Sequence, residues 1–186
     1  LPPSQGWPVA EGTPTMTLLS IDPGRSYKGT GRARQSIGYC LFDRKGAEIL
    51  RGALSWEELV DALDLSDMGI YGRGLHFSMW SGLIDEVVIE DFVNDPKSAR
   101  GGQRNGTSEC IGSVEIMARK AGVPFTRQRS AELGPAKLHA GYVQKLTHLP
   151  HEDSAYLHGY EYLVRAGVLQ PKGLADTLKS TVTPIS

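Results

Sequence analysis

The sequence predicts a mixed α/β domain in which helices cover the faces of one β-sheet. Three observations lead to this prediction. The chain begins with three short apolar segments separated by turns, and later apolar segments alternate with amphipathic helical ones. Its 186 residues, 40% of them apolar, are enough for one compact core and exclude a chain that is disordered throughout.

The first three segments are expected to form an antiparallel meander. Residues 17–21 are short and apolar and stop at Asp22-Pro23-Gly24, which is typical of a buried strand that ends in a turn. Residues 37–42 predict a second strand after a basic, glycine-containing loop. Residues 47–54 alternate well enough to predict a third strand.

A helix and a fourth strand follow the meander. Ser55 is expected to open the helix, because Glu58 three residues later completes a capping box and apolar residues continue at helical spacing. Residues 87–89 form a bounded apolar run that predicts a buried strand ending in Glu90 and Asp91.

The remaining elements are predicted from the same patterns. We expect a short helix within 68–84, a helix over 107–121, a fifth strand over 123–126, a helix over 135–146 and a last helix that begins near residue 152. Strands that alternate with helices in this way indicate a mixed sheet with helices on its faces.

Composition predicts the domain boundaries and the cellular compartment. Residues 1–15 are rich in Pro and Gly and predict a flexible leader before a domain over 16–167, with a C-terminal tail over 168–186. No run approaches the roughly 18 apolar residues of a membrane span. Cys40 and Cys110 are isolated rather than paired as in disulfide or zinc patterns. We therefore expect a reduced, cytoplasmic protein with no membrane partner.

The charge distribution is more informative than the net charge of −1, which by itself argues against a nucleic-acid partner. Eleven of the 20 Lys and Arg residues fall in three windows that contain no acid. Such windows are either solvated loops or the basic face that a polyanion needs. Their members are Arg25, Lys28, Arg32 and Arg34; Lys97, Arg100 and Arg104; and Arg119, Lys120, Arg127 and Arg129.

Three carboxylates are placed where a surface role fits poorly. Asp22 and Glu90 each end a short apolar strand, and Asp153 heads a helix on its apolar side, with no Lys or Arg on those strands or that helix face. Buried carboxylates must be paired, hydrogen-bonded or bound to metal. Three of them at one sheet edge suit two Mg²⁺ or Mn²⁺ ions and phosphodiester hydrolysis.

Each acid also has a structural interpretation. Asp22 can hydrogen-bond its own turn, Glu90 can reach solvent from a strand end, and Asp153 can complement the dipole of its helix. The three structural interpretations would have to hold independently, so their coincidence favours a site.

The segments around these acids resemble those of the RuvC family of Holliday junction resolvases. They follow in the family's order along residues 17–165: Leu-Leu-Ser-Ile-Asp22-Pro-Gly24, Ile37-Gly38-Tyr-Cys-Leu-Phe-Asp43, Val-Val-Ile-Glu90-Asp-Phe92 and His151-Glu152-Asp153-Ser-Ala-Tyr-Leu. The resemblance implies an RNase H-like fold, with a five-stranded mixed sheet whose first three strands are antiparallel and whose others are parallel, and with helices on both faces.

The same resemblance implies an activity and its partners. Members of the family are homodimers that make paired, Mg²⁺-dependent nicks in branched DNA at four-way junctions. Two Mg²⁺ ions are then expected, with Mn²⁺ as a substitute, and no nucleotide cofactor. The small size and variant motifs resemble a bacteriophage-type member, which would act in the cytoplasm of a bacterial host.

One position departs from the family pattern. The family usually has a fourth metal ligand three residues before its last aspartate, where this chain has Pro150. His151 and Glu152 are the candidates to replace it, with His148 further away, although His151 also fits an exposed histidine at a helix start. The resulting assignments are catalytic roles for Asp22, Glu90, Asp153 and His151, and metal ligation by Asp22, Glu90, Asp153 and Glu152.

Contacts to DNA are assigned mainly to the basic loops. The loop over 94–106 follows the Glu90 strand and is expected to track phosphates, as is the first basic loop. Phe92 is expected either to stack at the junction point or to pack against a helix. The assigned residues are Arg25, Lys28, Arg32, Arg34, Phe92, Lys97, Arg100 and Arg104.

Three other functions remain as alternatives. Actin-like ATPases share an Asp-x-Gly turn, but they need two domains, and this chain has the length of one. Ribonuclease H and terminase-type nucleases use similar metals, although the ribonuclease H glutamate lies on a helix. A non-catalytic DNA-binding relative that lost its fourth ligand is the third alternative. The leading hypothesis is a dimeric, metal-dependent junction endonuclease.

Overall fold

The computed structural model describes residues 17–24, 37–64, 83–91, 106–142 and 149–172. The predicted leader and the predicted short helix over 68–84 therefore lie almost wholly outside the described residues. Within these residues, no helix has the length and apolar character needed to cross a bilayer.

Five strands form one mixed sheet in the order β3-β2-β1-β4-β5. The β1–β2 and β2–β3 pairs are antiparallel, and the β1–β4 and β4–β5 pairs are parallel. This confirms the predicted meander and the RNase H-like arrangement of antiparallel and then parallel strands. The strands are β1 (Thr17–Asp22), β2 (Ile37–Asp43), β3 (Glu48–Leu54), β4 (Glu86–Asp91) and β5 (Phe125–Arg129).

Helices cover both faces of the sheet, as predicted. On one face, α1 and α2 pack over a core that includes Leu19, Leu59 and Val114. On the other face, α4 packs over a second core that includes Leu18 and Phe42. The helices are α1 (Trp56–Asp64), α2 (Gly106–Ala121), α3 (Leu133–His139) and α4 (His151–Arg165).

The capping box at the start of α1 is present in both directions. The Ser55 backbone N–H donates to the Glu58 carboxylate at 2.8 Å, and the Glu58 N–H donates to the Ser55 hydroxyl at 3.2 Å. These two bonds satisfy backbone donors that the first turn leaves without a helical partner. The predicted helix start is therefore confirmed.

Two predicted boundaries are wrong. The helix expected over 135–146 ends at His139, where Gly141 takes a φ of 65° and the Tyr142 N–H returns to the Lys137 carbonyl at 2.8 Å. A glycine in this left-handed conformation ends a helix, and the apolar spacing beyond it was misleading. The fifth strand was expected over 123–126 but runs from Phe125 to Arg129. The prediction ended too early because the second half of the strand is polar and lacks the apolar pattern that marks a strand.

An ion-pair network joins α3 to α4. Glu161 is 2% exposed, and its carboxylate accepts hydrogen bonds from His139 Nδ1 at 2.6 Å and Arg165 Nε at 2.8 Å. Arg165 also lies 3.1 Å from the Glu132 carboxylate. Both oxygens of this buried acid therefore have a donor, as a buried charge requires.

Helix α4 lies very close to the sheet because a glycine on each element lies at the contact between them. A Cβ on Gly38 of β2 would come within 2.1 Å of the His151 carbonyl, and a Cβ on Gly159 of α4 would come within 2.3 Å of the Phe42 ring. Neither position has room for a side chain. These contacts set the N-terminal turn of α4 directly over the carboxyl edge of β1.

The residues just after α4 contact the rest of the molecule. The Tyr160 hydroxyl donates to the Gln170 carbonyl at 3.2 Å, and the Lys172 N–H donates to the His139 carbonyl at 2.7 Å. The first five residues of the predicted tail thus pack against α3 and α4.

Candidate active site

Asp22 and Glu90 lie side by side at the carboxyl edge of two parallel strands. In the β1–β4 register Ile21 pairs with Ile89, so the two acids are the next residues on neighbouring strands, which run about 4.8 Å apart. Val88 packs in the α4-side core, and alternation places Glu90 on the same face. The sequence prediction that two strand-end acids converge is supported by this register.

Asp22 is 6% exposed and its oxygens have different partners. Oδ1 accepts the Gly24 backbone N–H at 2.8 Å, and Oδ2 lies 3.1 Å from His151 Nδ1. The Ser154 hydroxyl donates a further hydrogen bond to this carboxylate. Asp22 therefore makes the turn hydrogen bond that the sequence offered as one interpretation, and its role as a metal ligand stays a prediction.

The electrostatics of this pair favour the charged forms. Burial alone would raise the pKa of Asp22, but hydrogen bonds and charge from His151, with the Gly24 and Ser154 hydrogen bonds, hold that pKa below its ordinary value. The hydrogen bond to Asp22 raises the pKa of His151 in turn, assisted by the charges of Asp22, Glu90 and Glu152. Asp22 is thus kept as a carboxylate.

Glu90 has a different neighbour. Its side chain is 15% exposed, and its Oε2 lies 3.7 Å from Nε2 of His158, which is beyond hydrogen-bond length. His158 is fully buried, and its Nδ1 lies 2.9 Å from the Gln128 side-chain oxygen. Within the described residues, His158 Nε2 has no hydrogen-bond partner.

Asp153 is paired with a cation, although no Lys or Arg lies on its own helix face. Its Oδ1 accepts from Arg51 Nη1 at 2.8 Å, and its Oδ2 accepts from the Tyr142 hydroxyl at 2.9 Å. Arg51 also lies 5.0 Å from the centre of the Tyr156 ring. The cation comes from β3, which the sequence did not place beside this helix. Metal ligation by Asp153 stays a prediction.

The face of α4 that meets Asp22 begins two residues before the one we predicted. His151 and Ser154, three residues apart, approach Asp22, and His158 follows one turn later. Small and polar residues form this face, so hydrophobic periodicity did not mark it. The spacing of 151, 154 and 158 is the signal that would have revealed it, because such residues share one side of a helix.

Glu152, the proposed replacement ligand, is half-buried, and its negative charge contributes to the raised pKa of His151. Among the residues that the structure describes, no other contact of the Glu152 side chain bears on the site. Its role in metal ligation therefore stays a prediction.

Asp91 lies at the same carboxyl edge as Glu90 but on the other face of β4, and the third basic window reaches this edge at Arg129, the register partner of Asp91. Asp91 is 3.6 Å from Arg127 Nη1, as expected for a residue on the opposite strand face from Glu90. Arg127 also pairs with Glu115, and Arg119 lies 2.7 Å from the same carboxylate. Two of the four basic residues in this window therefore form ion pairs with acids.

The fit of a divalent cation to this edge rests on two carboxylates. Across the described ranges, no three His, Cys, Asp or Glu side chains are grouped closely enough to hold a metal ion. Nevertheless, Asp22 and Glu90 bring two carboxylates together, and the buried His158 Nε2 beside them has no hydrogen-bond partner in the described part of the chain. Two carboxylates with water and substrate phosphate are a common Mg²⁺ environment. The residues present thus fit such an ion.

The residues assigned to DNA binding lie outside the described residues. They are Arg25, Lys28, Arg32, Arg34, Phe92, Lys97, Arg100 and Arg104. Their assignments stay predictions.

Comparisons with known proteins give a likeness of fold. No protein-family model and no curated protein matches the sequence. Among solved structures, RuvC of Thermus thermophilus in complex with Holliday junction substrate is 16% identical, with a TM-score of 0.48 over 84% of this chain and 99% of that one. Another Thermus thermophilus RuvC structure is 16% identical, with a TM-score of 0.47 over the same shares.

Proposed function

We propose that this protein is a divalent-metal-dependent endonuclease that cuts branched DNA, with the four-way junction as its substrate. The observation that carries the proposal is the pair formed by Asp22 and Glu90 on neighbouring parallel strands. Ligands of open α/β sheets bind at the carboxyl ends of the strands, where this pair lies.

Within this proposal, Asp22 and Glu90 hold the metal, expected to be Mg²⁺ with Mn²⁺ as a substitute. The metal supplies an activated water and neutralises charge on the phosphodiester. Asp22 is oriented for this role, because its Oδ1 is held by the Gly24 N–H and its Oδ2 faces His151 at 3.1 Å. His151 therefore acts as a positioning residue for the Asp22 carboxylate.

The choice of a nucleic-acid substrate is supported by the basic windows, and its branched form by the resemblance of the acidic segments to the RuvC family. Basic windows without acid follow both strand-end acids, after Asp22 and after Glu90, and Lys and Arg side chains in such loops bind phosphates. A homodimer would place two such sites on the two sides of a junction and make two symmetric nicks.

A DNA-binding protein without nuclease activity is the second candidate. It is favoured by the engagement of Asp153 with Arg51 and Tyr142, which leaves two carboxylates rather than three at the sheet edge. This candidate predicts tight junction binding with no product in either metal.

The test is a cleavage assay with Mg²⁺ or Mn²⁺ on a four-way junction, a fork, an RNA–DNA hybrid and linear duplex. We expect paired nicks on the junction, abolished by EDTA. Asp22→Asn is expected to lower the rate about a thousandfold, because metal ligation contributes several kcal/mol and each 1.4 kcal/mol is a factor of ten.

A matched control is available on the same strand end. Asp91→Asn changes the neighbour of Glu90 on the opposite face and should leave cleavage near the wild-type rate, whereas Glu90→Gln should abolish it. Equal losses in the two variants would contradict the proposed site. Cleavage of the hybrid alone would indicate a ribonuclease H, and binding without cleavage would favour the second candidate.

A further inference from the structure

A buried histidine without a complete set of partners lies next to the proposed site. His158 is fully buried between α4 and the sheet, and its Nε2 points towards Glu90 Oε2 at 3.7 Å. Among the residues that the structure describes, this nitrogen has no hydrogen-bond partner. An unsatisfied polar atom in the interior destabilises the folded chain, so a partner that completes its hydrogen bonding or ligation is expected.

The orientation of the ring is set by Gln128. The Gln128 side-chain oxygen can only accept, so the His158 Nδ1 at 2.9 Å carries a proton and donates it. With that proton on Nδ1, the Nε2 of the ring presents its lone pair towards a carboxylate. Metal-binding histidines are commonly held in this way, with one ring nitrogen donating to an oxygen and the other free to ligate.

Another histidine of this chain shows what a purely structural pair looks like. His139 Nδ1 lies 2.6 Å from the Glu161 carboxylate, and Arg165 donates to the other oxygen of that acid. The 3.7 Å separation of His158 and Glu90 is longer than this, and a cation that bonds N and O ligands at about 2.1 Å can reach both atoms.

We propose that His158 Nε2 is an inner-sphere nitrogen ligand that shares a divalent cation with Glu90, and that it makes the site favour Mn²⁺ over Mg²⁺. This inference rests on the proposed function and adds a ligand and a metal preference to that site. Imidazole nitrogen suits transition metals, whereas Mg²⁺ prefers oxygen donors and retained water. The expected preference differs from the Mg²⁺ first expected from the sequence.

Pulsed EPR of the full chain with Mn²⁺ alone tests the ligand directly. Coupling from a coordinated ¹⁴N nucleus is expected in the wild-type protein and should be lost in His158→Gln. The affinity for Mn²⁺, measured from the free-ion signal, should fall at least about tenfold in that variant, while the affinity for Mg²⁺ changes much less. Circular dichroism establishes that the variant is folded, and the wild-type signal does not depend on any variant.

Two control variants identify the source of the nitrogen signal. His139→Gln, in the α3–α4 network, and His151→Gln, beside Asp22, should both keep the coupling. Loss of the coupling in His151→Gln but not in His158→Gln would overturn the proposal, as would Mn²⁺ binding without any ¹⁴N coupling or an equal affinity for the two metals.

Cleavage measured on the same samples separates this inference from the proposed function. Junction cleavage without ¹⁴N coupling overturns the His158 proposal alone. Coupling from His158 without cleavage of any substrate overturns the nuclease function and leaves the ligand assignment standing. Absence of Mn²⁺ binding overturns both.

Discussion

The two ends of β4 carry the same residue type on the same face, yet the two side chains are in different states. Glu86 and Glu90 both face α4. Glu86 at the start of the strand accepts a hydrogen bond from the Tyr162 hydroxyl. Glu90 at the end of the strand lies 3.7 Å from His158 Nε2, too far for a hydrogen bond.

This difference separates an acid whose hydrogen bond stabilises the fold from an acid that remains available for the proposed metal site. Tyr162 and His158 both lie on α4, so the position of the helix alone does not explain why only Glu86 forms a hydrogen bond with it. Donors that satisfy a carboxylate stabilise the folded chain, as they do at Glu161. A carboxylate left open beside another acid raises the local negative charge, which lowers stability and attracts a cation.

The largest expected effect comes from forcing the N-terminal turn of α4 away from the sheet. Gly38→Ala would place a Cβ within 2.1 Å of the His151 carbonyl and 2.5 Å of the Glu152 nitrogen, both backbone atoms. We expect the free energy of unfolding to fall by about 3 kcal/mol, because an overpacked site must shift its backbone. Urea unfolding measures this change.

The control is a glycine with open space around it. A Cβ on Gly112 in α2 would have no heavy atom within 4 Å beyond its own stretch of the helix, so Gly112→Ala should be neutral or stabilise by up to about 1 kcal/mol through helix propensity. If Gly38→Ala proved as stable as the wild type, α4 would not be seated on β2 as described.

The next largest effect comes from removing the hydrogen bond between Tyr162 and Glu86. Tyr162→Phe removes the donor to Glu86 and leaves a partly buried carboxylate without it, at an expected cost of about 2 kcal/mol in unfolding free energy. Tyr156→Phe is the matched control on the same helix, because its ring stacks on Phe42 while no hydrogen bond of its hydroxyl occurs among the described residues. We expect that variant to change stability by less than about 0.5 kcal/mol.

A smaller effect sharpens the comparison between the two acids themselves. Glu86→Gln should destabilise the protein by about 1 kcal/mol, because a neutral acceptor makes a weaker hydrogen bond with Tyr162. Glu90→Gln should leave the stability unchanged or raise it, because it removes one of two adjacent negative charges. Equal destabilisation by both substitutions would mean that Glu90 is a structural acid too.

The sequence predicted the strand-end acids and the sheet, because short apolar runs with turn residues are local signals. Asp22 and Glu90 could be expected together, since each ends such a run and parallel strands bring their carboxyl ends to one edge. The capping box of α1 was predicted for the same reason, because its partners are three residues apart.

The partners from distant elements could not be predicted in this way. Arg51 and Asp153 are 102 residues apart, and their ion pair depends on how α4 lies across β3. His158 and Gln128 were missed because a buried polar pair interrupts the hydrophobic pattern that marks a packed face. Local patterns therefore revealed the acids, and only the packing of α4 revealed what surrounds them.

The smallest effect is the pH dependence of the stability that the Tyr162–Glu86 pair contributes. Burial and the hydrogen bond to Glu86 raise the pKa of Tyr162 to about 12, above the value near 10 of an unfolded chain. The contribution of this raised pKa to the free energy of unfolding is therefore fully present below about pH 10 and is lost as the pH rises from about 10 to 12.

The stability difference between the wild type and Tyr162→Phe should accordingly stay constant from pH 7 to 9 and shrink above about pH 10. Urea unfolding of both proteins at each pH measures this difference, and other tyrosines cancel because both proteins contain them. A difference that stayed the same up to pH 11 would show that the hydroxyl does not bond Glu86. Glu86 would then no longer be a hydrogen-bonded acid with which Glu90 on the same strand can be compared.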